Sequence, residues 1–428
     1  MRRGGAQPPG LAGQAGAPRL ADQVALGVLT RTFPPELVDH VLAVTGRVER
    51  RYRLLPARLV VYYVLGLALF AGMGSVEVLR CLVEGLRGAA GWRHPHEPWR
   101  RWRVPVKSAL VQARARLGAE PLRVLLERAA RPLATQRTRG AFYRGWRVMS
   151  LDGTCLDVAD SSANAKVFGR PGSSRGEGTG AFPQIRLVGL AECGTHAVVA
   201  AALGPCTTSE AVLADELLGA PGRLGPELLV LCDRGLWGAD RWRRAVGRGA
   251  ALVWRVKIGP TGPALLAERV LADGSWLARL DAGRGDPILV RVLDYRLDDP
   301  GLAPRAGHGS HGGRAASAGM VDRLVTSILD PEAAPAVELA ARYHQRWEIE
   351  TALDELKVHQ RGPGAVLRSK TPDGVRQELW AHLLVHYALR SLMHDTAVDN
   401  DLDPDRLSFT ATLRIVRRHT ITRAVVSP

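Results

Sequence analysis

The sequence is poor in lysine, in cysteine and in long apolar stretches. Lysine and arginine together number 58, yet only Lys107, Lys166, Lys257, Lys357 and Lys370 are lysines. The five cysteines (Cys81, Cys155, Cys193, Cys206 and Cys232) are scattered and form no CxxC pair. That fits a reducing compartment and argues against a structural zinc site. No signal-peptide hydrophobic core follows the opening MRRGGAQPPG. One uncharged run, residues 59–75, is short for a bilayer span and carries Gly66, Gly72 and Gly74. It reads as a buried helix, so the expectation is a cytoplasmic protein with no membrane contact.

Acidic residues are scarce in one region only. Residues 1–150 hold 25 basic and 9 acidic side chains, whereas residues 151–428 hold 33 of each. The whole net charge of +16 therefore lies in the N-terminal third. A base-composition bias would spread that excess evenly, so its localisation points to a polyanion, most often nucleic acid. With 46% hydrophobic and 23% charged residues, 428 residues suffice for two or three globular domains.

Residues 1–18 are Gly/Ala/Pro-rich and are expected to form a disordered tail. Residues 19–140 carry apolar positions at helical spacing, with Pro34 and Pro35 at a helix start and a further helical stretch over 107–133, and read as an all-α, basic, DNA-binding region. Its run WRRWR interleaves Arg100, Arg101 and Arg103 with tryptophans, which suits phosphate contact and stacking. The helical segment KSALVQARARL could reach a groove.

From Trp146 the pattern becomes α/β: a strand with a turn over WRVMSLDGTCLDVAD, a hairpin around residues 193–195, a helix capped by Ser209, and buried strands ELLVLCD and ALVWRVK. Residues 258–330 read as a β-rich insertion with a Gly/Pro-rich mobile loop at 299–320. Two long helices follow over about 332–360 and 373–397, and residues 398–428 form a C-terminal tail of ambiguous structure. This predicts one α/β domain with a mixed sheet over 146–257 and 331–397, interrupted by the insertion.

Three acidic residues stand out. Asp152 lies in the strand MSLDGT, Asp233 ends the apolar strand LLVLCD, and Glu350 lies on the helix ARYHQRWEIETALDELK. A carboxylate in or ending an apolar strand is costly unless paired or metal-bound, and strand ends at the carboxyl edge of an α/β sheet are where ligands bind. Three such groups can surround a pair of divalent ions. Mg²⁺ prefers such hard oxygen ligands, and a metal pair suits phosphodiester chemistry. The plainer alternative makes Asp152 and Asp233 turn or cap residues.

The helix narrows the choice. With Tyr343 at zero and 100° per residue, Arg346, Glu350 and Lys357 fall at about 300°, 340° and 320°, within an arc of about 60°. One face thus combines a phenol, a guanidinium, a carboxylate and an ammonium. An i,i+4 ion pair between Arg346 and Glu350 would explain the charges, but neither Tyr343 nor the rare lysine.

These residues resemble the signature Tyr-x2-Arg-x3-Glu-x6-Lys of bacterial insertion-sequence transposases of the DDE class, in the insertion-sequence-four family. Asp152-Gly153-Thr154 and Asp233-Arg234-Gly235 are similar to the motifs around that family's two aspartates, and likeness extends to Asn164, Phe168-Gly169, Phe182-Pro183-Gln184, TSILDP and LRSKTPDGVRQELW. The resemblance implies a ribonuclease-H-like catalytic core with a β-rich insertion. It implies Mg²⁺-dependent nicking at element ends and strand transfer into target DNA, with two ions for which Mn²⁺ can substitute. Asp152, Asp233 and Glu350 would hold the metals, and Tyr343, Arg346 and Lys357 would contact DNA. Trp276 and Trp347 are candidates for stacking on a flipped base. Double-stranded DNA, as element ends and target, and a second copy in a synaptic homodimer are the implied partners, in the nucleoid of a bacterial cell. A DNA-binding relative with a disabled core, and a metal-dependent nuclease without strand transfer, are the alternatives.

Overall fold

The computed structural model describes residues 26–49, 51, 53–86, 105–172, 180–281, 286–296 and 321–425. The expected tail 1–18, the loop 299–320 and the WRRWR run with Arg100, Arg101 and Arg103 lie outside the described residues.

Among the described residues six helices come first: α1 (Leu26–Thr32), α2 (Pro35–Val44), α3 (Ala57–Leu69), α4 (Ser75–Leu86), α5 (Lys107–Leu117) and α6 (Glu120–Ala129). Pro34 is the N-cap of α2 and Pro35 its first residue, positions where a missing N–H costs nothing. Helix α3 carries the apolar run; Leu59 to Gly66 are all buried, so it is an internal helix. The stretch 107–133 is two helices rather than one, because Gly118 takes φ +73 and ends α5.

A ten-stranded mixed sheet follows. In chain order its elements are β1 (Phe142–Tyr143), β2 (Trp146–Asp157), α7 (Ser162–Phe168), β3 (Gln184–Glu192), β4 (Val198–Pro205), α8 (Glu210–Gly219), β5 (Leu228–Cys232), α9 (Ala239–Gly247), β6 (Ala251–Val256), β7 (Ala264–Val270), β8 (Trp276–Asp281), β9 (Ile288–Arg296) and β10 (Val321–Thr326). The spatial order is β4-β3-β2-β5-β6-β10-β9-β8-β7, with β2, β5 and β6 parallel and the other pairs antiparallel. Strand β2 passes through Asp152-Gly153 unbroken, because β3 pairs with it continuously from Met149 to Asp157. The strands of 258–330 extend the same sheet: β10 pairs with β6 and the others follow outward. Strand β7 escaped the sequence pattern because it is exposed along nearly its whole length and shows no alternation.

The chain closes with α10 (Ala336–Tyr343), a 3₁₀ turn at 344–346, α11 (Trp347–Asp354), a π-turn at 355–359, α12 (Pro372–Asp399), a 3₁₀ turn at 404–406 and α13 (Phe409–Val425). The helix expected over 332–360 is thus interrupted twice. The stretch 398–428 is no plain tail: Phe409, Leu413 and Val416 of α13 enter the core.

Alternation along the strands assigns the faces. Val148, Leu229, Leu231, Val253 and Leu324 share one apolar cluster with Leu339 and Tyr343 of α10. Met149, Leu151, Val230, Cys232 and Trp254 belong to the other, which also contains the buried residues of α8 and α9. Strand β5 is buried at all five positions, as a central parallel strand must be.

Gly194, between β3 and β4, has φ +81, and a Cβ there would lie 2.4 Å from the Arg139 carbonyl oxygen. Gly194→Ala combines a left-handed backbone penalty with a clash against backbone, so it is expected to cost at least about 2 kcal/mol. Denaturant melts of the variant against wild type measure this.

Candidate active site

The register of β2 on β5 does the first part of the assembly. Leu151 pairs with Cys232, so the next residue on each chain, Asp152 and Asp233, comes to the same edge of two parallel strands. Both have the strand parity of the face that carries α10. On that face the Ser150 hydroxyl donates to the Arg346 carbonyl at 3.2 Å, which fixes the helical run against β2.

Arg346 then joins helix and strand. Its Nη1 donates to Asp152 Oδ2 at 3.0 Å and its Nη2 to Glu350 Oε1 at 2.7 Å. Tyr343 OH lies 3.3 Å from the Cys232 carbonyl and 3.4 Å from Asp233 Oδ1. Lys357 Nζ donates to Thr154 Oγ1, two residues beyond Asp152, at 3.0 Å. The Gly153 amide donates to Asp152 Oδ1 at 2.8 Å. The eight residues that carry the DGT, the second aspartate and the Tyr-Arg-Glu-Lys spacing therefore meet in one place.

Burial raises the carboxyls of Asp152 and Glu350 above the usual range; Arg346 opposes the rise and neighbouring Asp233 adds to it. Burial also works against the charge on Arg346, but Tyr343 and the carboxylates around it outweigh that and hold its proton more tightly than usual. Burial pushes the Tyr343 phenol up, so it is a hydroxyl donor at neutral pH. Arg346 stands between Asp152 and Glu350, so the three carboxylates are not gathered within reach of a single ion; as hard oxygen donors that repel one another they suit divalent cations, which relieve the repulsion.

The tryptophans differ. Trp347 is 51% exposed, with the Arg346 guanidinium 5.4 Å from its ring. Trp276 is on β8, four strands from β5 and hence about 19 Å along the sheet; Arg323 lies 5.3 Å from its ring. The sheet does not bring Trp276 to the carboxylates.

Two polar residues of this region were missed. Arg255, on β6, places Nη1 3.9 Å from Asp233 Oδ1 while pairing with Asp322 at 2.6 Å; an arginine inside the apolar strand ALVWRVK was the available signal. Glu355, in the π-turn, is 5% exposed and bound to Arg390 and His386. Nothing in its sequence context distinguished it from an exposed helix carboxylate.

A second polar cluster lies on the opposite side of α11. His196 Nε2 is 3.2 Å from Asp405 Oδ1 and 3.6 Å from Glu348 Oε2. Its donor types could suit a metal. However, Arg390 Nη2 donates to His196 Nδ1 at 2.7 Å, which leaves the ring's proton on Nε2 and no lone pair there for a cation. Burial pushes His196 down to about 3, Glu348 up to about 8 and Asp405 up to about 6.

The chain belongs to the family whose model is described as the transposase DDE domain, which matches residues 144–388. A model described as the insertion element 4 transposase N-terminal region matches residues 23–127. The chain is 28% identical over 407 residues to the transposase InsG for insertion sequence element IS4 of Escherichia coli (strain K12), covering 92% of this chain and 83% of that protein. It is 27% identical over 186 residues to the putative transposase InsZ of the same organism, covering 44% of this chain and 57% of that one. Among solved structures, a piggyBac transposase synaptic complex with hairpin DNA aligns with a TM-score of 0.46 at 10% identity, over 96% of this chain and 84% of that one. The protein is accordingly a DNA transposase of the DDE class, in the insertion-sequence-four family, and the DDE domain implies a divalent metal. Its mixed sheet fits a ribonuclease-H-like core. No helix of the described residues is long and apolar enough to cross a membrane.

Glu348 yields a pH test. Its carboxyl is higher in the folded protein than in the unfolded chain, so the native state holds the extra proton. Stability from this group is full below pH 4.5 and falls as pH rises towards about 8. Glu348→Gln keeps a neutral group there, so its stability relative to wild type should rise between about pH 4.5 and 8, by up to about 5 kcal/mol, and level off above that. Urea melts across that range measure the difference; a flat difference contradicts it.

Proposed function

We propose that this transposase cuts its element at terminal inverted repeats and joins the freed 3′-OH ends to target DNA, with two Mg²⁺ ions that Mn²⁺ can replace. The single observation that carries the reading is the adjacency of Asp152, inside β2, and Asp233, directly after β5, where the parallel pairing of the two strands ends, with Glu350 joined to Asp152 through Arg346. Asp152, Asp233 and Glu350 hold the ions. When bound, a metal pair supplies Lewis acidity to the attacking and leaving oxygens of an in-line displacement. Water attacks phosphorus first and the 3′-OH second, so no covalent protein nucleophile is required.

The cations take the substrate. Arg346 and Lys357 grip phosphate oxygens near the cut, and Tyr343 donates its hydroxyl there. Trp347, being exposed, is available to stack on an unpaired base; Trp276 would have to reach DNA elsewhere along the sheet. The helices of residues 26–129 supply the grip on duplex DNA. There the α2–α3 connection and α5 enclose a cavity of about 480 Å³ whose lining includes Arg47, Arg51, Arg53 and Arg116. Arg53 pairs with Glu49 at 3.4 Å. The working unit is a homodimer that holds two ends together, acting in the bacterial cytoplasm at the nucleoid.

On a supercoiled plasmid bearing matching element ends, wild type with Mg²⁺ should release the element and give joined products, whereas Asp233→Ala should release none. Release by wild type no greater than by Asp233→Ala sinks the enzyme reading, and cleavage without joined products sinks strand transfer. Apart from activity, Mg²⁺ or Mn²⁺ should raise the melting temperature of wild type but not of Asp152→Asn or Asp233→Asn.

The groove makes a separate prediction. If Arg51 and Arg116 each neutralise one phosphate, each alanine variant should weaken binding to a duplex end. Each should also flatten the log K against log salt slope by about 0.9. Unchanged slopes would move the DNA off this surface.

A further inference from the structure

Among the buried charges outside the carboxylate cluster, those of the π-turn are the ones that bear on it. The α-helical ladder of α11 gives way at residues 355–359 to i→i+5 bonding, with the Gln360 amide donating to the Glu355 carbonyl at 2.8 Å. Such turns are rare and are found mostly as single-turn bulges, often at functional sites. The turn contains Lys357, whose ammonium reaches Thr154 on β2 at 3.0 Å.

The side chain that anchors the turn is Glu355. Arg390 Nε donates to Glu355 Oε2 at 2.9 Å, and Arg390 Nη2 also donates to Oε1. His386 Nε2 lies 3.0 Å from Glu355 Oε2. Both partners are on α12, one turn apart, and both are buried. On an ideal helix Glu355 and Lys357 point about 160° apart, at about 120° and 320° on the scale that places Tyr343 at zero. An anchor on the α12 side therefore sets how far the opposite side of the turn is rotated towards β2. Gln360 repeats the attachment one turn later, donating from Nε2 to the His382 carbonyl at 3.1 Å.

We infer that Glu355 is a positioning residue of the transposition reaction: its paired attachment to Arg390 and His386 on α12 holds the π-turn that aims Lys357 at the strand of Asp152. The assignment rests on the reading of Lys357 as a phosphate contact. The ion pair is not needed merely for burial, because a matched apolar pair would fill the same space. What the apolar pair lacks is a fixed direction for the turn, which the fork of Arg390 on one carboxylate provides.

The test is a double-mutant cycle on single-turnover nicking of an element end. Glu355→Gln should slow nicking by about ten- to a hundredfold, with end-binding affinity within about twofold of wild type. Lys357→Ala should also be slow, and the double variant no slower than Lys357→Ala alone, because both changes remove the same contact. A residue that only maintains the fold would give losses that multiply. Multiplying losses, with Lys357→Ala itself slow, would overturn the role of Glu355 and leave the reading of Lys357 standing. A Lys357→Ala enzyme that nicks at the wild-type rate would remove both.

Should Glu355→Gln fail to fold, Glu355→Leu with Arg390→Met removes both buried charges together. That pair should fold and nick as slowly as Lys357→Ala. Wild-type nicking by the pair would overturn the inference.

Discussion

The arrangement depends on one guanidinium. Asp152, Asp233 and Glu350 bring like charge to a partly desolvated edge, where two unit charges 4 Å apart interact by about 4 kcal/mol at an effective dielectric near 20. Arg346, with its side chain 6% exposed, answers two of them at once, and Arg255 stands 3.9 Å from the third. A lysine could not do the same. Its ammonium is a compact charge, whereas the guanidinium offers two edges that face different carboxylates and cannot lose its proton. The same contact ties α11 to β2, so the charge balance and the placement of Glu350 are one feature.

How much of this was legible in the sequence follows from the distances over which each cause acts. Asp152 and Asp233 could be found because an ionised residue inside or ending an apolar strand is anomalous on its own. The grouping of Arg346 with Glu350 was legible because i,i+4 spacing is local. The two interruptions of that helix were not, since they arise from what α12 and β2 present to it. Glu355 looks like any exposed helix carboxylate until Arg390, 35 residues on, is known to meet it. In the same way β7 lacks alternation because both its faces are wet, and Gly118 splits the stretch 107–133 by a backbone conformation that spacing cannot reveal. For Trp276 the sequence offered only a residue type, and the strand order is what separates it from the carboxylates.

Helix α12 connects the two halves of the problem. Near its start Gln377 accepts from Arg114 Nε of α5 at 2.9 Å and donates to the Arg114 and Gly118 carbonyls. Near its middle Tyr387 OH exchanges hydrogen bonds with the backbone of Arg131, and Arg390 binds Glu355. Residues from α1 to α6 share one apolar cluster with α12 and with the α8/α9 face of the sheet. Interiors packed at crystal-like density transmit displacement rather than absorb it. A load on the arginine-lined groove beside α5 therefore bears on the same rod that anchors the π-turn and Lys357. In the proposed reaction, the grip on duplex DNA and the aim at the scissile phosphate are then linked through the hydrogen bonds and packing of one helix, α12.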